Sequence, residues 1–254
     1  MPRISTRRRT AVLCAGLAAL AACTTSTEAS DGGSSAELVA DDSPAVPLPT
    51  IGLGSEFGEV SSSNGATAAN ASDVDSIVMI GDSITVASSE AIEEQFSQIG
   101  FDNVTIVAQQ GKRISESFGD NTSGASIADY VADEYTGDPQ DRLWIVALGT
   151  NDISQYADAA EVSDVVDSVL ESIPPEAPLL WVNTYIEDRP ADTAAVNAAI
   201  SRAVAERGNA TVGSWSSYAP ENGVLSDDGV HPTDQGEITF ASVVTTSAAN
   251  FLGR

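Results

Sequence analysis

A chain of 254 residues with 42% hydrophobic content can bury one substantial core, so one catalytic domain, or at most two domains, is expected. Four of its 11 basic residues, Arg3, Arg7, Arg8 and Arg9, cluster at the start; past them seven cations face 37 carboxylates, a formal charge of −30. A field of that sign repels nucleic acid and anionic headgroups and excludes both as partners.

The arginine cluster is followed by an apolar run from Ala11 to Ala22. Twelve residues are too few to cross a bilayer, which takes about 20, so the segment reads as an export signal. The run ends in Leu20-Ala21-Ala22-Cys23, which resembles the bacterial lipobox. That resemblance implies a signal peptide over residues 1–22, lipidation of Cys23 and attachment outside the cell membrane by two or more acyl chains, enough for stable anchoring. The competing reading is an ordinary secretory signal cleaved after small residues. Arg7-Arg8-Arg9 also bears a slight likeness to a twin-arginine export signal. The other cysteine, Cys14, falls inside the signal, so a mature chain keeps no thiol for a disulfide, a metal or a nucleophile. Residues 24–72 are Ser, Gly, Ala, Asp and Glu with scattered Pro and no apolar period, the composition of a disordered acidic tether. Random-coil scaling gives it a span of roughly 35 to 42 Å, enough to lift a domain off a membrane.

The folded domain is expected over residues 73–254. Short apolar runs predict strands at Ser76–Ile80, Val104–Ala108, Leu143–Leu148, Leu179–Asn183 and Ala210–Gly213. Helical spacing appears in Ala91, Ile92, Gln95, Phe96 and Ile99, stopped by Gly100, and in Val162, Val165, Val166, Val169, Leu170 and Ile173, stopped by Pro174-Pro175. It recurs in Val196, Ala199, Ile200, Ala203 and Val204, stopped by Gly208, and a last helix runs from about Thr233 to Leu252. Alternation of this kind predicts an α/β fold, a doubly wound three-layer sandwich with a central, mainly five-stranded parallel sheet of flavodoxin-like type. Ligands of such sheets lie outside the carboxyl ends of the strands.

Four blocks fall at those ends. Ser83, in Gly81-Asp82-Ser83-Ile84-Thr85, follows the first strand and is either a nucleophile or a helix cap. Gly111 follows the second in Gln109-Gln110-Gly111, as a turn residue or as a backbone N–H donor close to a ligand. Asn151 follows the third in Gly149-Thr150-Asn151-Asp152, as part of a turn or as a side-chain donor to an oxyanion. The single histidine, His231, lies three residues after Asp228 and just before the last helix. Imidazole ionises near neutrality and suits the base of an acyl-transferring serine, and a carboxylate at Nδ1 would fix its tautomer.

Together, in this order, these blocks resemble the SGNH (GDSL-type) hydrolase family over roughly residues 76–252. The resemblance implies Ser83 as nucleophile, Asp228 and His231 as its triad partners, and an oxyanion hole of Ser83 N–H, Gly111 N–H and the Asn151 amide; its Asp-to-His spacing selects Asp228 over the adjacent Asp227. The stretches AQQGKR at 108–113, VNTYIEDRP at 182–190 and VGSWSSYA at 212–219 are similar to SGNH domains attached to membrane acyltransferases that O-acylate cell-surface glycans. Other schemes fail on simple counts. There is no G-x-S-x-G elbow, one histidine cannot supply H-E-x-x-H, and no phosphate-binding G-x-x-x-x-G-K-[ST] is present.

The implied activity is an extracytoplasmic serine esterase working through an acyl-enzyme without metal or organic cofactor, on a small ester or an acylated glycan, with acetyl groups on carbohydrates foremost. Two alternatives stay open: a lipase or thioesterase-like enzyme on longer chains, or an O-acyltransferase with a membrane partner; and a non-catalytic envelope-binding lipoprotein. Tyr156, Tyr185, Trp215 and Tyr218 fall near the expected site, either to stack on a sugar or to pack. Lys112 and Arg113 either meet an anionic group or are solvated charges.

Overall fold

The computed structural model describes residues 73–254 apart from 118, 120 and 157. The export signal, Cys23 and the acidic tether lie outside the described residues. The strands are β1 (Ser76–Gly81), β2 (Val104–Ala108), β3 (Arg142–Ala147), β4 (Leu179–Val182) and β5 (Ala210–Gly213). The principal helices are α1 (Ser83–Gln98), α2 (Gly124–Glu134), α3 (Ala159–Ser172), α4 (Pro190–Arg207), the single-turn α5 (Trp215–Tyr218) and α6 (Asp234–Leu252).

All five strands are parallel, in the order β2-β1-β3-β4-β5, the doubly wound sandwich expected from the sequence. Strands covered on both faces by helices have no solvent side, so they read as continuous apolar runs. Ile77 and Met79 point to one face of β1, and Val78 and Ile80 to the other. The first face is closed by Ile84, Ile92 and Phe96 of α1 and by Phe240, Val244 and Phe251 of α6. The second is closed by Ala128 of α2, Val162, Val166 and Val169 of α3, and Val196, Ile200 and Val204 of α4.

Helix ends follow their local chemistry. Asp158 caps α3 by accepting the Ala160 and Glu161 amides, Pro190 opens α4, and Thr233 caps α6 by accepting Gly236 N–H at 3.1 Å. The last helix therefore begins one residue after the expected Thr233. Helix α2 packs on the second face through Ile127, Ala128 and Val131, with only Gly124 and Ala128 fully buried.

Chain order places the site. The sheet grows from β1 to β2 on one side and then from β1 to β3 on the other, so the carboxyl ends of β1 and β3 flank the point where the winding reverses. A crevice opens there in doubly wound sheets. Ser83 follows β1, Asn151 follows β3, and Gly111 follows the neighbouring β2.

Candidate active site

Helix α1 starts directly on β1, and Gly81 makes the junction possible: a Cβ at that position would lie 2.1 Å from Thr85 Oγ1. Asp82, not Ser83, is the helix cap, its Oδ1 accepting Ile84 N–H at 3.0 Å. Ser83 is therefore the first helical residue, and its own N–H is among the amides that a helix start leaves without an intrahelical acceptor. The capping alternative for Ser83 is thereby replaced by its neighbour.

The hydroxyl of Ser83 lies 3.0 Å from His231 Nε2, across 148 residues of sequence. On the far side of the ring, His231 Nδ1 lies 2.7 Å from Asp228 Oδ2. An acceptor at Nδ1 demands the tautomer that carries its proton there, which leaves the Nε2 lone pair facing Ser83. Asp228 is itself fixed locally: Oδ1 accepts Val230 N–H, His231 N–H and Ser226 Oγ–H, each at 2.9 Å. The His231 side chain, then the His231 and Val230 amides, hold its carboxyl well below the usual carboxylate range. The loop that carries both residues is closed by Ser226 N–H to His231 O, at 2.9 Å, and by a turn through Gly229. His231 and Asp228 remain about half exposed, at 48% and 51% of their side-chain surface.

The opposite wall is backed by buried groups. Asp82 is 1% exposed, and burial pushes its carboxyl up to about 7, against the hydrogen bonds from Ile84 and Thr150 that favour its ionised form. Its Oδ2 faces Asn151 Nδ2 at 3.4 Å, and the same amide donates to the Lys112 carbonyl at 3.1 Å. Gly111 takes φ +71°, a conformation that favours glycine, in a turn closed by Lys112 N–H to Gln109 O at 3.2 Å. Gln109 N–H in turn donates to Gly81 O at 3.2 Å, so the second block is tied to the first by backbone and to the third by Asn151.

Contacts thus link Ser83, His231 and Asp228 on one side, and on the other tie Asn151 through the Lys112 carbonyl to the turn that holds Gly111. Sequence reasoning missed three further members. Lys112 is not a solvated charge but is 1% exposed, its Nζ donating to Thr122 O at 2.6 Å. Asp152, also 1% exposed, accepts Ile114 N–H at 3.2 Å and the Tyr156 hydroxyl at 2.8 Å; burial pushes its carboxyl up to about 6. Asp82 is the third. Their signal in sequence was adjacency to a motif residue and nothing more. The aromatic residues pack: Trp215 is fully buried, edge-on to Phe240 with centroids 5.1 Å apart, Tyr185 and Tyr218 lean on the same core, and Tyr156 on the other.

The solved structures that this chain resembles share its fold at low identity. The C-terminal catalytic domain of peptidoglycan O-acetyltransferase A (OatA) from Streptococcus pneumoniae matches with 18% identity and a TM-score of 0.51, over 71% of this chain and 96% of that one. A member of the lipolytic G-D-S-L family from Veillonella parvula matches with 18% identity and a TM-score of 0.54, over 68% and 99%. A carbohydrate acetylesterase from Sinorhizobium meliloti matches with 13% identity and a TM-score of 0.52, over 69% and 98%. No curated protein sequence matches. The model of the GDSL-like Lipase/Acylhydrolase family matches residues 79–237, from within β1 into the first turn of α6. That span is more than half of the chain and holds each of the four blocks, so the chain belongs to the GDSL-like lipase/acylhydrolase family.

Proposed function

We propose that this chain is an extracytoplasmic serine esterase that hydrolyses carboxylic esters through an acyl-enzyme, with small acyl groups, acetyl foremost, on carbohydrates as its substrates. The observation that carries the reading is the continuous line of contacts from Ser83 Oγ through His231 to Asp228, at 3.0 and 2.7 Å. Hydroxyl, imidazole and carboxylate in that order, with the base oriented by the third group, are what nucleophilic acyl transfer requires.

In this scheme His231 Nε2 takes the Ser83 proton as Oγ bonds to the ester carbonyl carbon, and the carbonyl electron pair moves onto oxygen. That oxyanion is received by Ser83 N–H, Gly111 N–H and the Asn151 amide. Collapse breaks the bond to the alcohol, which leaves with the proton held by His231. Water then gives a proton to the same nitrogen, attacks the acyl carbon and releases the acid and Ser83. Asp228 stays ionised throughout and stabilises the imidazolium. The scheme asks for no metal or organic cofactor.

The choice of small acyl groups on carbohydrates is supported by the sequence likeness of residues 108–113, 182–190 and 212–219 to glycan-modifying SGNH domains, and by the company of an O-acetyltransferase and a carbohydrate acetylesterase among the structures that share the fold. A panel of acetylated sugars set against p-nitrophenyl esters of rising chain length tests it. Turnover should be highest on acetyl esters and fall steeply by butyryl. A maximum at eight carbons or more would replace this reading with that of a long-chain lipase or thioesterase. Transfer to an added sugar in preference to water would replace it with an acyltransferase acting beside a membrane partner.

The address outside the membrane rests on the leader and on Cys23. Metabolic labelling with a palmitate analogue should tag the parent and not Cys23→Ser, and the substituted protein should appear in the soluble fraction. An unlabelled parent would mean an ordinary secretory signal.

A further inference from the structure

We propose that Lys112, the only lysine of the chain, is a positioning residue of the oxyanion hole, setting both Gly111 N–H and the Asn151 amide from a buried side chain. The inference rests on the serine-esterase reading above and adds to it the group that orients two of the three donors.

Four bonds lead to it, two of the Lys112 backbone and two of its side chain. The Lys112 N–H closes the turn on Gln109 O at 3.2 Å, and that turn is what presents Gly111 at φ +71°. Its carbonyl accepts Asn151 Nδ2 at 3.1 Å and so fixes the plane of that amide. Its Nζ reaches the Thr122 carbonyl at 2.6 Å and Gln109 Oε1 at 3.5 Å. Gln109 lies at the end of β2 and Thr122 two residues before α2, so the ammonium spans the loop from one root to the other. Asn121, next to Thr122, donates to Gln110 O and ties the same two roots together.

The arrangement is costly unless it serves the site. A buried ammonium loses its hydration, and no carboxylate lies within ion-pair distance of it among the described residues. Burial accordingly pulls its pKa below the ordinary lysine range. A loop that needed only packing would be filled more cheaply by Met or Leu. What the ammonium adds is direction: its bond to the Thr122 carbonyl, with a longer contact to the Gln109 side chain, ties Lys112 to the far root of the loop, and preorganised donors are worth most where charge develops.

The test uses the full chain, with Lys112→Met matching the side chain in length but lacking the donor. Expected is a fall in kcat of about 10- to 100-fold on p-nitrophenyl acetate with KM within about threefold of the parent. The inhibition constant of a phenylboronic acid, which bonds to the serine as a tetrahedral anion, should weaken by a similar factor. In an Asn151→Ala background the same substitution should cost less, because part of its effect passes through that amide. Unchanged kcat and boronate affinity, with or without a lower melting temperature, overturns the proposal and leaves Lys112 a structural plug. So does a raised KM at parental kcat. If K112M does not fold, the parent carries the test alone: lysine labelled with ¹⁵N gives one ammonium signal, which should shift, and exchange more slowly with water, when boronate binds. An unmoved signal overturns the proposal. A parent that neither hydrolyses the ester nor binds boronate sinks the esterase reading itself, and the Lys112 proposal with it; a competent parent matched by K112M sinks only the latter.

Discussion

The two halves of the site are built in opposite ways. The acid–base half, Asp228 and His231, is half exposed and made of contacts two and three residues apart, inside one loop closed on itself. The donor half, Gly111 and a half-buried Asn151 backed by the buried Asp82 and Lys112, is made of contacts across dozens of residues: Asn151 to Lys112, Asn151 to Asp82, and Gln109 to Gly81. A base that must shuttle protons with alcohol and water needs solvent at its edge. Dipoles that must already be aligned when charge appears gain from being fixed in a dry matrix. The contrast implies that damage to the first half should be chemical, and damage to the second both chemical and structural.

The largest effect should come where the halves meet. Ser83→Ala removes the nucleophile that both serve and should cost roughly 10⁵- to 10⁶-fold in kcat, with folding unaltered, measured by ester hydrolysis with protein from an esterase-free host. Next, Asp228→Asn should cost roughly 10³- to 10⁴-fold, because an amide cannot hold the required tautomer or stabilise the imidazolium. Its melting temperature should stay near the parental value, since the loop is exposed. Asn151→Ala, on the other wall, should lose about 10²- to 10³-fold in kcat and also lower the melting temperature, since it leaves the Lys112 carbonyl without its side-chain donor. If Asp228→Asn melted the protein and Asn151→Ala did not, the contrast would be wrong.

The smallest effect is on stability against pH. Asp82 and Asp152 have folded-state carboxyls at about 7 and about 6, both above the ordinary carboxylate range of about 4. A raised acid contributes stability that is fully present below about pH 4 and is lost as pH climbs through the folded value. The melting temperature should therefore rise as pH is lowered from 8 to 5. Relief of repulsion among the many carboxylates acts with the same sign, so the discriminating result is a shallower slope in Asp82→Asn. Asp228 works the other way: its lowered carboxyl contributes stability present above about pH 4 and given up only in stronger acid.

The same contrast decides what could be read from the amino acids alone. The Asp228–His231 loop was legible because its partners are sequence neighbours and its histidine has no rival in the chain. The strands were legible because burial on both faces leaves continuous apolar runs. The first helix was legible too, but its cap was not, since Asp82 and Ser83 are both good caps and only the fold shows that Asp82 turns back to Ile84. Helix α2 stayed without bounds because its apolar face is short, Ile127, Ala128 and Val131 being its packed residues in a single stretch of 11. Lys112 fits neither of its two sequence readings, an anionic partner or a solvated charge, for a different reason. Its charge argues for solvent, and its burial follows from a carbonyl ten residues on, at Thr122, that no local pattern announces. Trp215 and the tyrosines show the reverse: large rings near a motif invite a binding role, yet Trp215 fills the core beside Phe240.

The most direct measurement is the site of covalent capture. The full chain, treated with a serine-reactive fluorophosphonate and digested, should carry one adduct, on the peptide containing Ser83, and lose it in both Ser83→Ala and His231→Ala. An adduct on any other serine, or labelling that survives in Ser83→Ala, would contradict the assignment of nucleophile and base on which the account stands.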